Sequence, residues 1–230
     1  MSSPYRINAR IDGRMAQEMI LEVSAAPPFM KNGFVLGCPR TLEGVLVDPG
    51  DEVEDLIAAA RRHGLIITRI LLTHAHLDHV TGVAAAKRAF DVPVYLHRDD
   101  QFLYDAVVQQ GLMFGIKVDA PPPVDAHYDM DRTLTFGDYT VTVHHTPGHC
   151  PGGVCLRVSG PDGGIEGLFV GDTLFAGSIG RTDLTGGDHE TLLRSIREVL
   201  FAFPDETPVY SGHGPETTIG REKATNPFLN

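Results

Sequence analysis

The sequence predicts an α/β protein built as an αββα sandwich, in which two β-sheets pack together and carry helices on their outer faces. Strand-rich stretches alternate with helical stretches in both halves of the 230-residue chain, as layered mixed folds require. Both halves also place metal-ligand side chains where a predicted strand ends. A doubly wound sheet produces a similar alternation, and the order of elements alone does not separate the two folds.

The first half begins with three short strands, expected at residues 19–23, 34–36 and 44–47. The turn Asp48-Pro49-Gly50 closes the third strand, and Asp51 is predicted to cap a helix together with Glu54. An apolar run at 66–72 then predicts a buried strand, followed by a helix. A strand at 92–96 begins with a proline and is expected near a sheet edge, before a helix at 98–110.

The second half begins with a predicted loop at 111–131, because three consecutive prolines there exclude a helix or a central strand. Two hairpins are expected next, each with turn residues between alternating or apolar runs. A helix capped by Asp188 and a last strand complete the pattern. The hairpins pair 133–136 with 139–144 and 153–158 with 167–170, and the last strand spans 207–210.

A cluster of metal-ligand residues directly follows the apolar strand at 66–72 and comprises His74, His76, Asp78 and His79. Residues two apart on an extended segment point the same way, roughly 6.5 Å apart, so the first two imidazoles can reach one cation. The chain then turns into a helix, which would direct the other two side chains to a second point nearby. One loop could therefore supply ligands to two neighbouring metal ions.

Three further ligand-type residues follow predicted strands, namely His149, Asp172 and His213. Each has glycine neighbours, which leave room for a tight turn that presents a single side chain. Together with the first cluster they make five histidines and two aspartates. That number fills two metal sites with one shared carboxylate.

The composition limits the classes of function. A formal net charge of −11 argues against binding to a nucleic-acid backbone, which needs a basic surface. Three cysteines are too few for a disulfide framework and favour a reducing compartment. The start of the chain at 1–10 has no apolar signal segment, and no apolar run approaches the roughly 20 residues that span a bilayer. We therefore expect a cytoplasmic protein without a membrane partner.

The ordered motifs H-x-H-x-D-H, P-G-H, G-D-T and G-H-G resemble the metallo-β-lactamase fold superfamily. Within it, the stretch from Gly171 to Asp183 and the tail from Ser211 to Leu229 resemble short glyoxalase II-type hydrolases. The resemblance extends from about Asn32 to the C-terminus. It implies one domain over 1–230, without the helical C-terminal domain of the long enzymes. It does not predict an oligomeric state.

The resemblance implies that two metal ions bind and that a metal-bridging hydroxide cleaves a thioester or ester of a small molecule, such as a hydroxyacylglutathione. It further implies catalytic roles for Asp78 and Asp172, with Asp78 orienting the nucleophile. Zn²⁺ suits these ligands best, although Fe or Mn also binds such sets. The implied ligands are His74, His76 and His149 for one ion, Asp78, His79 and His213 for the other, and Asp172 for both.

The implied substrate contacts are less complete than the implied metal ligands. Arg181 falls where the long enzymes place a basic contact to glutathione, but Asp183 stands where they place a tyrosine. The loop at 111–131 is a candidate for a replacement pocket, with Met113 and Phe114 either forming its apolar wall or filling the core. The thiol carrier and the acyl group are not predicted.

Other functions remain open alternatives. The run from Gly180 to Asp183 also resembles persulfide dioxygenases, which would use a single iron on His74, His149 and Asp172 and act on glutathione persulfide. Lactonases and other ester hydrolases of the fold share the ligands, whereas a true β-lactamase is disfavoured by the bridging Asp172. A non-enzymatic, metal-stabilised binding module would need closed sites without an open coordination position.

Overall fold

The computed structural model describes residues 18–230 and the backbone of two short paired strands, β1 (Arg10–Ile11) and β2 (Arg14–Met15). The rest of the polar start, on which the expectation of no signal segment depends, lies outside the described residues. Two six-stranded sheets pack face to face with helices outside them, so the predicted αββα sandwich is confirmed.

The first sheet combines an antiparallel half with a parallel half. The third to sixth strands of the sheet, in chain order, run parallel to one another, so their four carboxyl ends lie at one edge of the sheet. In spatial order the strands are β3 (Ile20–Ala26), β4 (Lys31–Gly37), β5 (Glu43–Val47), β6 (Ile66–Leu71), β7 (Val94–Leu96) and β8 (Ala126–His127).

The second sheet is formed from the later part of the chain. Its strands and a small separate hairpin are β9 (Leu134–Phe136), β10 (Tyr139–His145), β11 (Val154–Ser159), β12 (Ile165–Gly171), the hairpin β13 (Leu174–Phe175) and β14 (Ser178–Ile179), β15 (Pro208–Ser211) and β16 (Thr217–Thr218). The sheet order is β16-β15-β12-β11-β10-β9. Because β12 is parallel to β15 and separated from β10 by one antiparallel strand, β10, β12 and β15 all end at one edge.

Seven helices cover the sheets in the part of the chain that the structure describes. They are α1 (Val53–Arg62), α2 (Leu77–Val80), α3 (Val83–Phe90), α4 (Gln101–Asp105), α5 (Val107–Met113), α6 (His189–Glu198) and α7 (Ile219–Thr225). Two 3₁₀ turns, Arg98–Asp100 and Leu200–Ala202, accompany them. No described helix is long and apolar enough to cross a membrane.

The apolar core has three parts, as a four-layer sandwich requires. One cluster packs α1 and α3 on the first sheet, and another packs α6 and the Leu200–Ala202 turn on the second sheet. The central cluster joins the two sheets around Phe34, Phe169 and Tyr210. Their rings pack with centroids 5.1 Å apart for Phe34 and Phe169 and 4.9 Å apart for Phe169 and Tyr210.

Several local predictions were wrong. The predicted capping box does not form, because α1 begins after Glu52 without a side-chain cap, and the Glu52 carboxylate accepts from Gly50 N at 2.9 Å instead. The helix expected at 98–110 is divided into a 3₁₀ turn, α4 and α5. The loop expected at 111–131 contains the end of α5 and the edge strand β8, and α7 was not predicted.

Truncation of Phe169 tests the central cluster. Phe169 is fully buried, and its loss to alanine is expected to destabilise the protein by about 3–5 kcal/mol, because the two sheets lose their shared aromatic contact. The exposed Leu112 on α5 is the control, and Leu112→Ala should stay within about 0.5 kcal/mol of the parent. Urea unfolding of both variants measures the difference, and equal stabilities would contradict the assigned core.

Candidate metal centre

The histidine-rich loop lies at the edge where the parallel strands of the first sheet end. After β6, the chain bends at Thr73 and continues without regular structure to His76, whose φ and ψ of −70° and 153° are extended, and it then enters the short helix α2. Asp78 and His79 lie on the first turn of that helix. The predicted change from extended chain to helix within this motif is confirmed, and it separates the two pairs of side chains.

His74, His76 and His149 form a first triad. One nitrogen of each ring lies within 4.8 Å of a nitrogen of the other two. His76 Nδ1 lies 2.7 Å from His149 Nε2, and the His74 ring centroid is 4.9 Å from each of the other two centroids. His149 reaches this position from the loop after β10 in the second sheet.

Asp78, His79 and His213 form a second triad, again with ligand atoms within 4.8 Å of one another. Asp78 Oδ2 lies 3.1 Å from His213 Nε2 and 3.8 Å from His79 Nε2. His213 comes from the loop after β15, so this triad also draws on both sheets.

Asp172 lies between the two triads. Its Oδ1 is 3.3 Å from His79 Nε2, and its Oδ2 is 3.7 Å from His149 Nε2 and 3.6 Å from His213 Nε2. The structure therefore brings together all seven side chains that the sequence singled out as ligand candidates.

The donor set fits divalent cations. Among the described residues, four buried ligand-type atoms here make no hydrogen bond of good geometry, namely His74 Nε2, His76 Nε2, His79 Nε2 and Asp172 Oδ1, although the last two lie 3.3 Å apart. Leaving such atoms unpaired in the interior costs about 1–3 kcal/mol each, and a cation would satisfy them. Imidazole nitrogens and carboxylate oxygens are also the ligands that Zn²⁺ and iron accept.

Polar groups behind the rings fix their orientation. The ring of His79 is held through Nδ1, which lies 3.0 Å from Asp48 Oδ2, and the ring of His149 donates from Nδ1 to Arg181 O at 2.7 Å. Asp48 also accepts from Thr73 N at 2.7 Å and from Thr73 Oγ1 at 2.5 Å. Sequence reasoning placed Asp48 only in a turn, although its position directly after β5 matches that of the other site residues.

Asn32 holds the His213 loop in place. Its Nδ2 donates to Ser211 O at 3.0 Å and to Gly214 O at 2.8 Å, and its backbone N donates to Gly212 O at 2.7 Å. The neighbouring Lys31 reaches the loop that carries Asp48 and donates to Asp48 O and, at 2.6 Å, to Glu52 Oε1.

The electrostatic environment differs between the triads. Burial and the neighbouring His149 lower the pKa of His76 to about 3, and burial with nearby imidazoles lowers the pKa of His74 strongly. Burial would also lower the pKa of His79, but Asp78, Asp172 and Asp48 outweigh it and raise that pKa to about 10. His74 and His76 are thus neutral at neutral pH, whereas the second triad lies in a field of carboxylates.

Arg181, the predicted substrate contact, lies beside the first triad but is already paired. Its guanidinium donates to both oxygens of Asp183, at 2.7 and 2.6 Å, and both side chains are mostly exposed. Met113 and Phe114 are 81% and 64% exposed, so the alternative that they fill the core is wrong. Phe114 instead contacts Phe29 edge to face, with ring centroids 6.4 Å apart.

The three cysteines are free and buried. Cys150 follows His149, but its thiol donates to Asp100 Oδ2 at 3.2 Å and does not belong to either triad. Asp100 was not predicted as a site residue, since nothing in the stretch His97-Arg-Asp-Asp100 distinguishes it from a polar helix start.

An αββα sandwich with histidines and aspartates gathered at its strand ends is typical of metal-dependent hydrolases. The family model of the metallo-beta-lactamase superfamily matches residues 27–213, and the chain belongs to this superfamily. The resemblance drawn from the motifs is confirmed, and the fold implies that divalent metal ions bind.

Two similar proteins are named as hydrolases. The chain is 43% identical over 188 residues to the probable metallo-hydrolase YqgX of Bacillus subtilis, covering 81% of this chain and 87% of the relative. It is 39% identical over 191 residues to the hydroxyacylglutathione hydrolase GloC of Haemophilus influenzae, covering 80% and 86%.

Solved structures of the same fold agree with this placement. The BLEG-1 B3 metallo-beta-lactamase superimposes with a TM-score of 0.82 at 40% identity, covering 92% of this chain and all of that one. TTHA1623 in a di-iron-bound form gives a TM-score of 0.79 at 42% identity, covering 90% and 100%. ETHE1 from Myxococcus xanthus gives 0.73 at 25% identity, covering 91% and 84%.

The depressed pKa of His76 predicts how acid affects the metal-free protein. The ring titrates near 6.5 when unfolded and near 3 when folded, so between these values the unfolded chain binds more protons. Stability should therefore fall as pH is lowered through this window, by up to about 1.4 kcal/mol per pH unit from this group. Urea unfolding at about pH 7 and about pH 5 measures it.

His76→Gln serves as the control for this experiment. Glutamine cannot be protonated in this range, so the variant should lose less stability on acidification than the parent protein. An identical dependence on pH in both proteins would contradict the assigned burial of His76.

Proposed function

We propose that this protein is a dinuclear metal-dependent hydrolase that cleaves a thioester, with a hydroxyacylglutathione-like compound as the substrate class. The observation that carries the proposal is the position of Asp172 between two complete triads, at 3.3–3.7 Å from imidazoles of both. The relative named hydroxyacylglutathione hydrolase GloC supports the choice of a thioester.

Each triad would hold one ion, and Asp172 would contact both. The assignment is His74, His76 and His149 for the first ion, with Asp78, His79 and His213 for the second. Nitrogen and carboxylate ligands in this ratio suit Zn²⁺ best. Iron is a second possibility, supported by the di-iron-bound form of TTHA1623.

When bound, the ions would supply Lewis-acid activation of water and of the substrate carbonyl. Asp78 and Asp172 would accept hydrogen bonds from the attacking water and orient it toward the carbonyl carbon. Water oxygen then bonds to that carbon, the carbon–sulfur bond breaks, and the thiol leaves with the proton released by water. The products are a carboxylic acid and a free thiol.

The exposure of the second triad supports an enzyme rather than a closed structural site. The side chains of Asp78, Asp172 and His213 are 16%, 12% and 32% exposed, so water and a small substrate can approach from one side. A structural metal site is instead closed by four protein ligands.

Replacement of the shared carboxylate tests the proposal. Asp172→Asn should lower thioester hydrolysis roughly 10²–10³-fold, because the amide cannot serve both triads or accept the same hydrogen bonds from water. Hydrolysis of S-lactoylglutathione is measured beside metal content on the same samples. A binding module would instead lose stability and metal together and would show no turnover in the parent protein.

The pairing of Arg181 with Asp183 generates a second test. We propose that Arg181 contacts an anionic part of the thiol carrier, which must then compete with Asp183 for the guanidinium. Asp183→Asn should lower KM for S-lactoylglutathione by up to about 5-fold, since an exposed ion pair contributes about 1 kcal/mol or less. Arg181→Ala should raise KM, and unchanged KM in both variants would exclude Arg181 as a substrate contact.

The alternative supported by a specific feature is a mononuclear iron persulfide dioxygenase, because Gly180-Arg-Thr-Asp183 resembles those enzymes. It would use His74, His149 and Asp172 and leave the second triad without a ligand role. Two metals per chain with thioester hydrolysis would exclude it, whereas one iron with oxygen uptake on glutathione persulfide would establish it. A lactone and a β-lactam belong in the same substrate panel, the latter because BLEG-1 is named a B3 metallo-beta-lactamase.

A further inference from the structure

Asp100 is a fully buried carboxylate that links the two loops of the first triad. Its Oδ2 accepts from Ala75 N at 3.1 Å and from Cys150 Sγ at 3.2 Å, and its Oδ1 accepts from Gly152 N at 2.6 Å. Ala75 lies between His74 and His76 in the chain, and Cys150 directly follows His149.

We propose that Asp100 is a positioning residue that sets the geometry and the metal affinity of the first triad. Two of its partners, Ala75 N and Cys150 Sγ, belong to residues adjacent to the three histidines, and the third, Gly152 N, lies in the loop that carries His149. One carboxylate therefore holds both loops that position the three rings. This inference rests on the metal-ligand assignment of the proposed function but not on its substrate. Outer groups of this kind typically change metal affinity 10- to 100-fold.

The contacts of Asp100 are all with neutral donors, two amides and a thiol. The negative charge is therefore not cancelled by a neighbouring lysine or arginine side chain in these hydrogen bonds. The carboxylate lies directly behind the loops that carry the first triad, and its negative charge favours a cation bound between those rings.

Gly152 provides independent support, because its backbone approaches Asp100 more closely than a residue with a side chain could. A Cβ on this residue would lie 2.7 Å from Asp100 Oδ1 and 2.6 Å from Asp100 N, closer than any side chain tolerates. Gly152→Ala should therefore displace the carboxylate from the loops without altering its charge or removing any ligand.

The second triad has a different outer carboxylate. Asp48 contacts His79 Nδ1 at 3.0 Å and accepts from Thr73, whereas the hydrogen bonds of Asp100 go to Ala75, Cys150 and Gly152. A change at Asp100 should thus affect one of the two metal sites selectively, which a general loss of stability would not do.

The experiment compares the parent protein with Asp100→Asn, Gly152→Ala and the control Asp105→Asn. Asp105 is an exposed residue on α4 whose carboxylate accepts from Gln101 Nε2 at 2.8 Å, away from both ligand loops. Zn²⁺ stoichiometry and affinity are measured by competition with a chromophoric chelator, and the unfolding temperature of each metal-free protein is measured in parallel. We expect one of two zinc ions to bind roughly 10- to 100-fold more weakly in both Asp100→Asn and Gly152→Ala, with the other ion and the control near the parent.

Parental zinc affinities in Asp100→Asn and Gly152→Ala would overturn the proposal, even if both variants unfold at lower temperature. Equal weakening of both ions would also overturn it, because that result indicates general destabilisation. If Asp100→Asn does not fold, Gly152→Ala decides by the same criteria. A parent protein that binds no zinc or iron would refute the metal assignment of the proposed function instead.

Discussion

The contact on which the site depends is that of the Asp172 carboxylate with imidazoles of both triads. Asp172 follows β12 of the second sheet, whereas His74, His76, Asp78 and His79 follow β6 of the first. The carboxylate can lie 3.3 Å from His79 Nε2 only when the two sheets are packed together. The central core around Phe34, Phe169 and Tyr210 therefore determines the chemistry at the strand ends as well as the stability of the sandwich.

This proximity also explains two glycines beside the site. Gly171 precedes Asp172 with φ of 52°, and a Cβ there would lie 2.3 Å from Thr73 Oγ1. Gly212 precedes His213, and its Cβ would lie 2.2 Å from Asp172 Oδ1 and 2.7 Å from His79 Cε1, which belongs to the loop after the first sheet. The sequence suggested that these glycines serve tight turns. The structure adds that they allow strand ends of different sheets to approach within contact distance, which no local pattern reveals.

The parts of the site that were predictable are those encoded within short segments. The H-x-H-x-D-H motif and the strand-end positions of His149, Asp172 and His213 are local features. The alternation of strands and helices predicted a mixed α/β fold, and the resemblance of the motifs to the metallo-β-lactamase superfamily favoured the sandwich over a doubly wound sheet. Asp48 and Asp100 were missed because their roles depend on contacts with residues 25 to 52 positions away. The helix α7 was missed for a similar reason, since it is short and is held by the buried Glu222, whose carboxylate accepts from Gly177 N at 2.8 Å and from Thr217 Oγ1.

The two triads differ in charge, and this difference bears on how a substrate would be oriented. Asp78 belongs to the second triad, Asp48 lies directly behind it, and their combined field holds His79 protonated in the absence of metal. In the first triad burial keeps His74 and His76 neutral, and the Asp100 carboxylate behind it contacts backbone and thiol groups rather than the rings. A cation on the first triad would keep more of its positive charge and would polarise a carbonyl oxygen more strongly. In the proposed hydrolase the acyl carbonyl therefore belongs at His74, His76 and His149, close to Arg181, with Asp78 placed to orient the water.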